Sequence, residues 1–281
     1  MTIAPKHSGQ NPSQLAEDHT LRSEFMRSLI AVGPDSHPTG GAAVVPRLIV
    51  QYWNDTNAIP ADVQDCLNSW AKLESVGFER LLFDDVMAAD FIAEHFTQRH
   101  VLAFERCQHP AMRADYFRLC FILERGGFYV DADDVYLGQS VDALLRGNEL
   151  KLQPLCYDIA SDSMLDPVVE AKASEPSERT FYVNNNPLVA PAGHSIIKKA
   201  LERATLSILS SSSNQRDIQS LTGPGNLTAT LVEHAAAQLP GTIADFVLFE
   251  GWGSIAESKW PLEYRTDQRN WRNWVHGDAS A

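Results

Sequence analysis

From residue 44 onward the chain alternates short apolar runs with stretches of helical spacing. Residues 44–53, Val-Val-Pro-Arg-Leu-Ile-Val-Gln-Tyr-Trp, are rich in β-branched and aromatic side chains. They lie between Gly40-Gly41 and Asn54-Asp55, which predicts a buried strand. Pro60 opens a helix to about residue 74, since Pro is tolerated in a first turn whose N–H groups lack intrahelical acceptors. Residues 78–83 read as a second strand, and Asp84-Asp85 as the cap of a helix carrying Val86, Met87, Phe91, Ile92 and Phe96. A further helix begins at Pro110 and is stopped by Gly126-Gly127. Residues 128–130 form a third strand.

The later half is less regular. Residues 149–155 and 181–183 look like strands, separated by a polar, acidic stretch over 158–180. Helices are expected over 193–209 and 225–239, with a flexible break at 210–214 between them and a last strand over 244–249. The segment from Trp252 on is rich in Trp, Arg and Asn, which need a surface to pack on, so it is expected to fold back over the site. Strands and helices in alternation predict one α/β domain over 44–281 with a largely parallel central sheet. Residues 1–43, with a single amphipathic patch over 15–32, read as a flexible or peripheral segment.

Composition narrows the function. With 281 residues, 44% hydrophobic and 21% charged, the chain can bury a sizeable core. Its net charge of −13 argues against nucleic acid as a partner, because phosphate backbones need Lys and Arg to neutralise them. An acidic protein that binds a diphosphate needs a local cation, which recruited metal would supply. Cys66, Cys107, Cys120 and Cys156 form no Cys-x-x-Cys pair and read as reduced, buried thiols. No transmembrane run and no signal peptide are visible, so a cytoplasmic location is expected, with export by a specialised system left open.

The chemistry concentrates at Gly126-Gly127-Phe128-Tyr129-Val130-Asp131-Ala132-Asp133-Asp134. Residues two apart on a strand face the same side, so Asp131 and Asp133 are expected to project together where the strand ends. Ligands of open α/β sheets bind at such carboxyl ends. Two adjacent carboxylates repel unless a cation joins them, and a hard cation with oxygen ligands, Mn²⁺ or Mg²⁺, suits the pair. A solvated acidic turn is the bland alternative. On the preceding helix Asp115 and Arg118 are three apart and share a face.

The composite Ala114-Asp115-x-x-Arg118, Ile122, Gly126-Gly127-x-Tyr129-x-Asp131-x-Asp133 resembles the DXD sugar-binding region of a glycosyltransferase family. That family includes initiating mannosyltransferases of the Golgi, capsular-polysaccharide transferases and, more distantly, clostridial glucosylating toxins. The opening strand to Trp53, the run Asn186-Pro187-Leu188 and the Thr222-Gly223-Pro224 turn are similar to further parts of the family pattern. Val50 stands where the family usually has His, and the closing Trp after a C-terminal His and Ser is absent.

The resemblance implies a GT-A-type nucleotide-sugar-binding fold. It also implies metal-dependent, retaining transfer from a nucleotide-sugar donor to an unknown acceptor: a glycan, a protein or a small molecule. It assigns the metal to Asp131, Asp133 and His276, and donor contacts to Trp53, Asp115, Arg118, Asp131 and Asn186. Catalysis would rest on Asp115, Arg118, Asp131 and Asp133. Two rival readings stay open at this point. One is a haloacid-dehalogenase-like phosphohydrolase, because an apolar strand leading into Asp-x-Asp also fits its nucleophile strand. The other is a non-catalytic nucleotide-sugar-binding module of the same fold.

Overall fold

The computed structural model describes residues 11–32, 44–173, 178–210, 217–239, 242 and 244–274. Among the described residues the strands are β1 (Leu48–Tyr52), β2 (Glu79–Phe83), β3 (Gly127–Tyr129), β4 (Asp134–Tyr136), β5 (Leu150–Asp158), β6 (Ser163–Leu165), β7 (Arg179–Ala190), β8 (Phe246–Leu248) and β9 (Ala256–Ser258). Seven form one sheet in the order β2-β1-β3-β7-β5-β6, with β8 paired to β5, while β4 and β9 make a separate antiparallel pair. The ladders β1–β2, β1–β3 and β5–β8 are parallel. Those of β3–β7, β5–β7 and β5–β6 are antiparallel. Five of the seven strands therefore run one way and β6 and β7 the other, which is the largely parallel α/β arrangement expected.

The chain leaves β1 to one side to form β2 and returns on the other side as β3. That reversal opens a crevice at the carboxyl ends of β1 and β3, the usual place for a ligand in such a sheet. Trp53 follows one of these ends and Asp131 the other.

Several elements differ from the sequence expectation. The helix from Pro60 is α-helical over Ala61–Ser69 and continues as a tighter 3-10 turn over Trp70–Val76, which ends at Gly77 with φ 87°. The polar stretch 158–180 contains β6 and the helix Pro167–Lys172, which Asp166 caps by accepting from the Val168 and Val169 N–H groups. The predicted break at 210–214 lies outside the described residues beyond Ser210.

The largest difference is at the start of the chain. The described part of 1–43 is two helices, Pro12–Glu17 and His19–Ala31. Leu15, Phe25, Met26, Leu29 and Ile30 are buried in the main core with the rest of the domain. The cause is packing: the first helix lies against Pro224–Ala236, and the second covers β7 and Pro167–Lys172. Residues 12–31 thus complete the core, where a peripheral segment was expected.

Among the described residues no helix is long and apolar enough to cross a membrane. All four cysteines are free and buried.

One polar cluster ties β8 to the helices outside the crevice. His234 Nε2 pairs with Asp245 Oδ1 at 2.8 Å and Ser195 Oγ donates to Asp245 Oδ2 at 3.1 Å. Burial alone would raise the Asp245 carboxyl, but the bond and charge of His234, the charge of His194 and the Ser195 hydroxyl outweigh it and hold it at about 2. A carboxyl depressed in the native state contributes stability that is complete above its unfolded value, about 4, and is lost as the pH falls towards 2. Asp245→Asn should therefore flatten the fall in the urea midpoint between pH 5 and pH 3. An unchanged pH slope would show that Asp245 has no such role.

Candidate active site

The helix Pro110–Arg125 is set at both ends by local sequence. His109 Nδ1 accepts from the Ala111 N–H at 3.0 Å, and Pro110 occupies the first turn. Gly126 closes the helix with φ 66°, where a Cβ would lie 2.6 Å from the Ala192 nitrogen. Gly127 follows with φ 110°, where a Cβ would lie 2.9 Å from the Leu48 carbonyl oxygen. Only glycine permits both the backbone conformation and this close approach. The turn delivers the chain directly into β3 beside β1.

β3 ends at Tyr129, earlier than expected, so Asp131 and Asp133 are not alternate residues of one strand. The chain must reverse to begin β4, and the Asp134 N–H donates to the Asp131 carbonyl at 3.2 Å to close that turn. Asp131 and Asp133 still face one cavity of about 350 Å³, because the turn presents both towards the crevice.

The antiparallel register Phe128↔Val189 and Tyr129↔Leu188, carried two residues on, puts Asn186 level with Asp131. Asn186 accepts from the Asp131 N–H at 3.0 Å and donates to Asp134 Oδ2 at 2.8 Å. It braces the acidic turn from across the sheet. Asp134 is 1% exposed, and burial, with the Asp133 and Asp131 charges, raises its carboxyl well above the usual range despite Asn186 and Arg265. It belongs to the brace and does not line the cavity.

Asp115 and Arg118 share a helical face as expected, and that face is buried, at 7% and 3% exposure. They are not the surface pair that spacing alone allows. Arg118 Nη2 lies 3.0 Å from Asp115 Oδ1 and 2.9 Å from Asp131 Oδ1, while its Nη1 donates to the Asn185 carbonyl at 2.8 Å. Its guanidinium carbon also sits 4.2 Å from the Tyr129 ring centroid. Asp115 in turn accepts from Asn185 Nδ2 at 2.7 Å and from the Thr222 hydroxyl at 3.2 Å.

Burial raises the Asp115 carboxyl even though Arg118, Asn185 and Thr222 pull it down. Burial also raises Asp131, to about 6: Arg118 opposes the shift, and the charges of Asp133 and Asp115 add to it. For Arg118 burial works against the charge, but Asp131, Tyr129 and Asp115 outweigh it and push its pKa up. The floor of the cavity is therefore a fixed cation between two carboxylates.

Trp53 is 8% exposed, and its ring meets Tyr264 edge-on with centroids 5.3 Å apart. It lines the cavity wall while packing with Val63, Leu67 and Leu262. His276 lies outside the described residues.

The tail closes the cavity from the far side. The Gln268 carbonyl is 2.9 Å from His109 Nε2, and Tyr264, Arg265, Arg269 and Trp271 also line the cavity. Tyr264 donates from its hydroxyl to Asp133 Oδ2 at 2.6 Å, and Arg265 Nη2 donates to the same oxygen. In a chain of net charge −13 this places arginines where the acidic turn needs them.

Asn185, Tyr264 and Arg265 had no counterpart in the sequence reading. Their only signals were neighbours: Asn185 precedes Asn186, and Arg265 sits in the aromatic tail.

Among the described residues no three His, Cys, Asp or Glu side chains converge on one point. Asp131 and Asp133 nevertheless offer hard oxygen donors at one cavity, which fits Mn²⁺ or Mg²⁺ completed by ligand oxygens.

The chain is similar in structure to a chain described as PaToxG Glycosyltransferase, with a TM-score of 0.49 and 13% identity over 93% of this chain and 95% of that one. No curated relative matches the sequence. The family described as glycosyltransferase sugar-binding region containing DXD motif matches residues 60–151, which hold the helix Pro110–Arg125 and the acidic turn. That match, over about a third of the chain, supports a glycosyltransferase over the phosphohydrolase alternative.

Proposed function

We propose that the cavity holds a nucleotide-sugar donor together with a divalent cation and transfers the sugar, with retention, to an acceptor hydroxyl. One observation carries this reading. Asp115, Arg118, Asp131 and Asp133, drawn from a helix and the turn after β3, meet at one cavity at the carboxyl ends of β1 and β3. Asp131 and Asp133 would hold the cation, which supplies charge neutralisation to the leaving diphosphate.

The chain's own residues do the positioning. Arg118, bonded to Asp115, Asp131 and the Asn185 carbonyl, fixes both carboxylates and keeps Asp131 aimed at the cavity. Asp115 borders the transferred sugar and accepts from its hydroxyls. Trp53 lies against the base, and the Tyr264 ring limits how far the base enters. Asn186, which also lines the cavity, acts through the backbone of Asp131 and through Asp134 as a positioning residue. Such preorganisation keeps the donor near its reactive geometry and can contribute several kcal/mol to the rate.

Donor binding is expected to need the cation. Calorimetric titration with UDP-, GDP- and CMP-sugars should show binding in Mn²⁺ that EDTA abolishes, for the donor whose base fits. A donor at ~100 times its Kd adds ~2.7 kcal/mol of apparent stability, readable as a thermal shift. Equal affinity with and without EDTA would remove the metal from the reading. Donor hydrolysis in Mn²⁺ separates a transferase from a module that only binds.

A further inference from the structure

We propose that Arg265 is a tethered counter-cation that holds the Asp133 carboxylate in the donor-free enzyme and competes with the divalent metal for it. The inference rests on reading Asp131 and Asp133 as metal ligands.

Arg265 Nη2 donates to Asp133 Oδ2 and, at 3.2 Å, to the Ser258 hydroxyl. Its guanidinium carbon lies 3.5 Å from the centroid of the Trp260 ring, and Trp260 is 56% exposed. The guanidinium is thus held between the acidic turn and an aromatic plate open to solvent. A cation ligating Asp133 Oδ2 must displace it.

Three features suit such displacement. The Arg265 backbone is fixed independently of its side chain, because its carbonyl accepts from Asn270 Nδ2 at 2.9 Å and Asn273 Nδ2 at 3.0 Å. The side chain can therefore turn while the tail stays in place. Asp133 is the only acid paired with Arg265 among the described residues, whereas Arg118 is shared by Asp115 and Asp131. Arg265 Nε, finally, is buried with no hydrogen-bond partner among the described residues, so the resting pose leaves that donor unsatisfied and a second pose can recover it.

The displaced guanidinium needs a new anion, and its planar fork matches phosphate oxygens. A donor diphosphate supplies them in the same cavity, which Arg265 lines. Metal and donor then help each other bind, each removing the cost the other would meet alone, and linkage requires the effect to be reciprocal. An acidic turn satisfied by its own arginine resists stray divalent cations until a donor arrives.

The test counts bound Mn²⁺ by loss of its free electron-paramagnetic-resonance signal, without nucleotide and then with UDP or GDP, corrected by protein-free blanks. Without nucleotide, Arg265→Gln is expected to bind Mn²⁺ at least ~10-fold more tightly than wild type, within the usual range of coupling between sites. Trp260→Ala, which loosens the guanidinium but keeps its charge, should shift affinity the same way by a smaller factor. Tyr264→Phe, which removes a neutral donor from the same oxygen, should shift it least. No gain in either Arg265→Gln or Trp260→Ala overturns the competition. If Arg265→Gln does not fold, Trp260→Ala alone decides. Wild-type protein that binds no Mn²⁺ even with UDP or GDP would instead defeat the metal reading itself, an outcome distinct from unchanged affinity in a protein that does bind it.

Discussion

Arg118→Ala is expected to lose both the reaction and much of the stability margin. Arg118 is 3% exposed and is the cation shared by Asp115 and Asp131. Removing one partner of a buried ion pair leaves an uncompensated charge and typically costs about 3–5 kcal/mol. Here Asp115 would be stranded, and the Asn185 carbonyl would lose its 2.8 Å donor. Set against a typical total of about 5–15 kcal/mol, that is a large share of the stability, and a fall in Tm of ~5–10 °C is expected.

Donor hydrolysis, measured where the variant is still folded, should fall by ~10²–10³-fold, as for loss of one preorganised group. Lysine is a poor replacement, because a point charge cannot span Asp115, Asp131 and a carbonyl as a planar fork does. Arg118→Lys should recover part of the stability and less of the rate. If Arg118 served the donor alone, the rate would fall with little change in stability. Wild-type melting and wild-type hydrolysis together would sink the whole assignment.

Asp133→Asn should show the opposite balance. Asp133 receives Tyr264 and Arg265 on one oxygen, and an amide oxygen still accepts from both, so only the ionic part of the contact is lost. A hydrogen bond to a charged group contributes about 1.5–3 kcal/mol, which bounds the loss of stability. If Asp133 holds the proposed cation, the catalytic loss should be larger, because a metal-bound charge supplies several kcal/mol of transition-state stabilisation, ~10³-fold in rate. Melting curves and donor-hydrolysis rates on the same preparation separate the two. A variant that keeps most of its turnover would make Asp133 a structural partner of the tail, and one that fails to fold would point the same way.

The sequence by itself determined the elements whose causes are local. Pro110 and the His109 cap start the helix that carries Asp115 and Arg118, and Gly126-Gly127 stops it, since only glycine tolerates the backbone there. Helical spacing alone put Asp115 and Arg118 on one face. The apolar runs that became β1 and β3 were visible because a strand buried on both faces needs little but apolar and aromatic residues.

Tertiary structure decided everything that depends on residues far apart in the chain. The N-terminal helices carry legible caps at Asn11 and Asp18, yet nothing local shows that Leu15 and Met26 bury against elements beyond residue 160. Asn185 and Thr222 reach Asp115 across 70 and 107 residues, and Arg265 reaches Asp133 across 132. Polar side chains carry no periodicity that announces a partner. The need to satisfy a buried charge makes these contacts obligatory, and it can be met only once the sheet has set β7 beside β3 and the tail has closed over the crevice.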